Sequence, residues 1–204
     1  MSHAASPSTP QELTTRDVVR VPAVRNMLIY STALYTGLML QAAALGKQVY
    51  DITGREIDIG WIGLVEFLPA AFLVLVTGMV ADRFQRKKVA MIGMAGELTS
   101  ALALMFYART HPTAVAPIFF ITFLYGVSRA FIAPAARSIW PMVAPPGGLP
   151  AVVALSSATW TGAAILGPAS SGLLYSVDPW VAYAVASGLV TLSMFVLTRV
   201  RTGQ

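Results

Sequence analysis

Between two long apolar runs, the segment Gly78-Met79-Val80-Ala81-Asp82-Arg83-Phe84-Gln85-Arg86-Lys87-Lys88 packs four cations into the six residues 83–88. Charges at that density must stay in water, because one cation at the centre of a membrane helix costs ~2.5–3.5 kcal/mol on insertion scales. The flanking runs, 59–81 and 89–108, are each long enough, at ~1.5 Å per residue, to cross a hydrocarbon core of roughly 30 Å. A tight hairpin between two membrane-spanning helices satisfies both demands, and its positive charge puts it on the cytosolic side.

The rest of the chain agrees. With 56% hydrophobic and 11% charged residues, 204 residues carry too few charges to coat a soluble globule, so the chain is an integral membrane protein. The net charge of +5 does not point to nucleic acid, because the cations sit at the ends of apolar runs without a basic helix or an aromatic-basic platform. Cysteine is absent and the two histidines, His3 and His111, are far apart, so neither a metal site nor a cofactor is expected. No nucleophile–base set or phosphate-cradling loop appears, and Gly147-Gly148 lies in a proline-rich loop, which argues against an enzyme.

Six apolar runs follow a Ser/Thr/Pro-rich segment: 27–46, 59–81, 89–108, 112–136, 149–177 and 179–198. The resulting division is a flexible cytosolic tail at 1–26, a six-helix domain at 27–198 and a short cytosolic tail at 199–204. Transmembrane strands would instead show alternating segments of about ten residues. With the tail inside, Arg16, Arg20, Arg25, Arg83, Arg86, Lys87, Lys88, Arg137, Arg199 and Arg201 fall on the inner side, against Lys47, Arg55 and Arg109 outside. This roughly threefold bias puts both termini in the cytosol.

Three charges fall within apolar runs and are the proton or substrate candidates. Glu66 lies ~10 Å inside the outer end of the second run, Glu97 near the middle of the third, and Arg129 about 10 Å from the inner end of the fourth. The alternative is a structural ion pair, with Glu97 and Arg129 at similar depth. Tyr35, Gln41, Tyr125, Ser156 and Trp160 are cavity candidates, or else interhelical hydrogen bonds and anchors. In the fifth run Gly162, Gly167, Pro168, Ser171 and Gly172 allow either a helix bend or plain close packing. Asp82 closes a helix whose last carbonyls are unpaired, so it needs a compensating partner such as Arg86 or the N-terminus of another helix, while Gly78 lets helices approach closely.

Gly78-x-x-x-Asp82-Arg83-x-x-Arg86-Lys87 resembles the signature loop between the second and third helices of the major facilitator superfamily, with Gln85 where a glycine is usual. Gln48–Gly54 before the second run, Leu64–Ala70 within it, Ser128–Ala135 in the fourth, and Ala154–Ser157 with Gly167–Leu174 in the fifth look like its enterobactin-exporter-like, drug-exporting branch. The resemblance implies an all-α fold with six transmembrane helices, half of a twelve-helix architecture and itself two inverted three-helix repeats. It implies a multi-pass protein of the inner or plasma membrane, a proton-coupled exporter of small hydrophobic or siderophore-like molecules by alternating access. Gly78, Asp82, Arg83, Arg86 and Lys87 would form its gating loop, with Asp82 meeting a helix of the other half. The partners implied are a small-molecule substrate, protons, the lipid bilayer, and a second six-helix half or second copy. The alternative is a transport-incompetent fragment or interaction subunit. In the fifth run, Ser171 stands where the glycine–proline element of proton-driven exporters commonly has glycine.

Overall fold

The computed structural model describes residues 13–200, and for Val74, Leu75, Ala81 and Asp82 the backbone alone. The regular structure among the described residues is helical: α1 (Thr15–Val19), α2 (Pro22–Thr53), α3 (Glu56–Arg83), α4 (Arg86–Arg109), α5 (Ala116–Val143), α6 (Leu149–Tyr175) and α7 (Pro179–Arg199). Among them α2, α4, α5, α6 and α7 are long and apolar enough to cross a bilayer, and α3 is a further helix of 28 residues.

Proline and glycine set several helix ends. Pro22 opens α2, where its missing N–H forfeits no helical bond, and Gly54 closes it at φ +65°, in the left-handed region that glycine adopts without strain. Asp178 caps α7 by accepting the Trp180 N–H at 3.3 Å, with Pro179 following at the first helical position. Only Phe84 and Gln85 separate α3 from α4, so most of the charged segment is helix end rather than loop.

The helices outrun the apolar runs. The first reaches from Pro22 to Thr53 rather than 27–46, and α5 spans Ala116–Val143 rather than 112–136, carrying Pro134 and Pro141 inside it. A helix continues past the apolar stretch because its end turns lie in water, where polar side chains cost nothing, so hydropathy marks the membrane and not the helix. Arg137 is therefore a helical residue, not a loop cation. Nor are residues 13–26 a free tail. Val18 and Val24 are fully buried, the Leu13 N–H donates to the Gly147 carbonyl at 3.3 Å, and the Asp17 carboxylate accepts from the Thr14 N–H and hydroxyl. Residues 1–12 and 201–204 of the expected tails lie outside the described residues.

Packing runs crosswise. α2 lies chiefly against α6 and α7, α5 against α3 and α4, and α4 against α7, whereas the helices within α2–α4, or within α5–α7, touch one another little. Exchanging α2, α3 and α4 for α5, α6 and α7 maps this set of main contacts onto itself, as an inverted pair of three-helix repeats requires.

Buried apolar residues form two clusters. One holds Met27, Tyr30, Leu34, Met94, Ile132 and Trp140, the other Leu40, Leu45, Val49, Leu104, Ile118 and Tyr183. The bundle passes from one to the other near Gln41 on α2, Glu97 and Ser100 on α4, Thr122 on α5 and Ser187 on α7, all buried. A polar layer thus crosses the middle of an apolar core.

Candidate functional site

The site starts from a helix crossing without a side chain. A Cβ on Gly126 of α5 would collide with the backbone of Glu66 on α3, its carbonyl oxygen first, so the two helices meet backbone to backbone there. One turn beyond, Arg129 reaches the Glu66 carboxylate in an ion pair and also donates to the Tyr125 hydroxyl at 3.3 Å. Glu66 stands roughly 15 Å and Arg129 roughly 20 Å from the ends of their helices at the 54–55 and 110–115 connections. Arg129 is thus central in α5 and not near its inner end, because that helix runs on to Val143. Its ion-pair partner is Glu66, not Glu97.

Two grooves share this arginine. One, about 810 Å³, runs between α3 and α5 past Glu66, Phe67, Thr77, Gly78, Arg129 and Arg137. The other, about 410 Å³, is lined by Tyr35, Leu38, Arg129, Arg137, Ser156 and Trp160 among others. There Tyr35 and Trp160 meet edge to face, ring centres 5.2 Å apart and planes at 81°. The arrangement offers an aromatic wall, hydroxyls and two cations to a bound molecule. Arg137 is the functional candidate that sequence reasoning missed. The available signal was its spacing, eight residues beyond Arg129, which puts it two turns on and within the same broad stripe of one helix, about 80° round.

Behind the ion pair lies Glu97. It is fully buried midway along α4, and neither carboxyl oxygen has a hydrogen-bond partner. Gln41 of α2 adjoins it, also fully buried, its carboxamide interacting with the Glu97 carboxyl without either amide atom reaching full hydrogen-bond geometry. Five of the residues singled out from the sequence therefore form one cluster: Gln41, Glu66, Glu97, Tyr125 and Arg129. Tyr35, Ser156 and Trp160 line the second groove.

The fifth-run residues divide. Gly167 packs on α2, where a Cβ would come within 2.9 Å of the Leu40 nitrogen, whereas Gly162 and Gly172 face open space. Pro168 is held inside the continuous helix α6 and Ser171 is buried.

The charged loop staples helices. Cations at a helix N-terminus are unfavourable, as Arg86, Lys87 and Lys88 are at the start of α4, unless other helices receive them. Lys87 donates to the carbonyls of Thr198 and Val200 at 2.9 and 3.0 Å, closing the end of α7, and Arg86 donates to the Ser138 carbonyl of α5 at 3.4 Å. Arg86 is thus engaged with α5; the Asp82 side chain, for which it was the expected partner, lies outside the described residues. Arg83 is exposed, and Gly78 has open space where its Cβ would stand, so the close approach expected there is not made to any described helix.

Comparison with known proteins converges on the same architecture. The sequence profile of the Major Facilitator Superfamily matches residues 27–203. Macrolide efflux protein A of Streptococcus pyogenes is 28% identical over 152 residues, 72% of this chain and 36% of that protein. The uncharacterized MFS-type transporter YceJ of Bacillus subtilis (strain 168) is 26% identical over 144 residues, 71% of this chain and 36% of YceJ. The chain thus spans about a third of the length of the curated relatives it matches. With its mid-helix ion pair and its two-residue turn flanked by cations both lying inside the matched region, and its helices packed crosswise, the chain belongs to the Major Facilitator Superfamily.

Proposed function

We propose that this chain supplies one six-helix half of an exporter-type secondary transporter that works by alternating access, with the Glu66–Arg129 pair as its proton and substrate centre. The pair itself carries the reading. A carboxylate and a guanidinium at mid-depth, part-exposed to two grooves, can exchange partners when a proton neutralises Glu66 and frees Arg129 for a bound molecule. The substrate would be a small, largely hydrophobic or siderophore-like molecule resting on Tyr35 and Trp160, as the enterobactin-exporter-like resemblance suggests and as the efflux named for the Streptococcus relative supports. A second six-helix half would complete the cavity. Both termini and the 84–85 turn would lie in the cytosol, with the loop of Gly78, Asp82, Arg83, Arg86 and Lys87 gating one access state.

The test is substrate movement in proteoliposomes carrying the assembled transporter, this half together with its second half, driven by an imposed pH gradient. Glu66→Gln should abolish gradient-driven movement while a substrate still binds, read by quenching of tryptophan fluorescence. Unchanged pH dependence in that variant would remove Glu66 from the mechanism.

A further inference from the structure

The cluster holds two carboxyl groups, Glu66 and Glu97, and one guanidinium, Arg129. With both carboxylates ionised it would carry a net negative charge in the middle of the bundle, where neither water nor lipid stabilises it. Glu66 already occupies Arg129, while Glu97 has no ion-pair partner and, beside it, only the Gln41 carboxamide, with no bond of full hydrogen-bond geometry on either oxygen. A carboxylate only accepts hydrogen bonds, so it needs donors. The groups that face it offer few. α2 contributes the Gln41 carboxamide, α3 contributes Glu66, and α5 contributes Arg129, paired with Glu66, and Tyr125, which accepts from Arg129 and keeps its own O–H but makes no bond to Glu97. On its own helix the Ser100 hydroxyl is spent on the Gly96 carbonyl, and Ser193 of α7, one turn away at Met94, is spent on Val190.

One proton resolves all of this. A neutral carboxylic acid beside a carboxamide can donate its O–H to the amide oxygen and accept the amide N–H on its other oxygen, a closed pair of hydrogen bonds. That single change satisfies the four orphaned atoms of Glu97 and Gln41 and brings the charge of the cluster to zero. We propose that Glu97 is a proton-holding site, paired as a neutral acid with the Gln41 carboxamide, and that it is the reserve counter-ion of Arg129. In the exchange Glu97 gives its proton to the Glu66 carboxylate, which lets go of Arg129, and the newly ionised Glu97 takes over the guanidinium. Where Glu66 is replaced by a neutral side chain, the proton leaves to solvent through the grooves at Arg129. The proton thus stays tied to the cluster's charge balance and not to a single residue. The inference deepens the proposed proton-coupled reading by adding a second carboxyl to it.

Difference infrared spectroscopy of the purified chain in lipid nanodiscs tests this without any transport assay. At neutral pH the wild type should show the C=O stretch of a protonated carboxyl, sensitive to D2O. Glu97→Gln should remove that band and keep the fold, because its amide can bond Gln41 in the same way; a band that persists in folded Glu97→Gln overturns the assignment. Gln41→Leu should keep the band but shift it to higher frequency as its hydrogen bond is lost, and an unshifted band overturns the pairing. Glu66→Gln should bleach the band as Glu97 ionises against Arg129, and full retention there overturns the reserve role. Should Glu97→Gln not fold, the other two variants decide. If the chain shows this pattern yet the transporter assembled with its second half moves no substrate under a pH gradient, the transport reading falls and the proton site stands.

Discussion

Replacing Gly126 by alanine tests whether the α3–α5 crossing holds the ion pair in place. The new methyl would meet the Glu66 carbonyl oxygen first, then its carbonyl carbon at 3.1 Å and Cα at 3.2 Å. All three are backbone atoms, so no side chain can turn aside and α3 must move as a body. Overpacking of this kind costs about 1–3 kcal/mol. Alanine returns ~1 kcal/mol through its better helix propensity, which leaves a net loss of roughly 0–2 kcal/mol against wild type and the full ~1–3 kcal/mol against a glycine-to-alanine control that meets no clash. Gly172→Ala, with nothing within 4 Å of its Cβ, keeps the propensity gain without the clash and serves as the control. Unfolding of both variants in mixed micelles, followed by helical circular dichroism against denaturing detergent, should order them Gly172→Ala, wild type, Gly126→Ala from most to least stable. The displaced α3 should also part Glu66 from Arg129, so Gly126→Ala should mimic Glu66→Gln in the infrared experiment. If Gly126→Ala equals or exceeds Gly172→Ala in stability, the helices are not in backbone contact and the account of the site's geometry is wrong.

Lys87→Ala should free the last carbonyls of α7, at a cost of ~1 kcal/mol for two charge-assisted bonds at a half-exposed site, and raise amide exchange in the last turns of α7; unchanged exchange there would mean that the staple is idle. A cysteine at position 85 should stay unlabelled by a membrane-impermeant maleimide in intact cells and react in inside-out membrane vesicles, and labelling in intact cells would invert the proposed topology. In the assembled transporter Asp82→Asn should abolish export with insertion and expression unchanged; wild-type export would leave the loop a topogenic role alone.

How much of this was legible in the sequence follows from what hydropathy encodes. The apolar runs and the charges inside them report depth, because the cost of a charge depends on its distance from water. Glu66, Glu97 and Arg129 were visible for that reason, and so was a charged hairpin between residues 81 and 89, though not that its turn is only Phe84-Gln85. Depth alone does not say which way a side chain points. At similar depth Glu97 and Glu66 compete equally for Arg129, and the choice falls to Glu66 only because Gly126 draws α3 against α5. The length of α5 was hidden because Pro134, Arg137 and Pro141 read as the end of a helix, while the packed bundle carries the helix past them. Val18 and Val24 were hidden in a segment whose alternation of charge and valine looked like a tail, although it closes one end of the core.

The crosswise packing also dictates an order of assembly. Because α2, α3 and α4 scarcely touch one another, the first three helices to leave the ribosome have almost nothing to fold against. α2 must wait in the bilayer, with Gln41 and Ser31 uncovered, until α6 and α7 are made. α4, bearing Glu97, waits less long, since its main partner α5 is the next helix synthesised. Insertion therefore comes well before folding, and pausing or truncation after α4 should yield a chain that is threaded through the membrane yet unfolded, a ready substrate for membrane proteases.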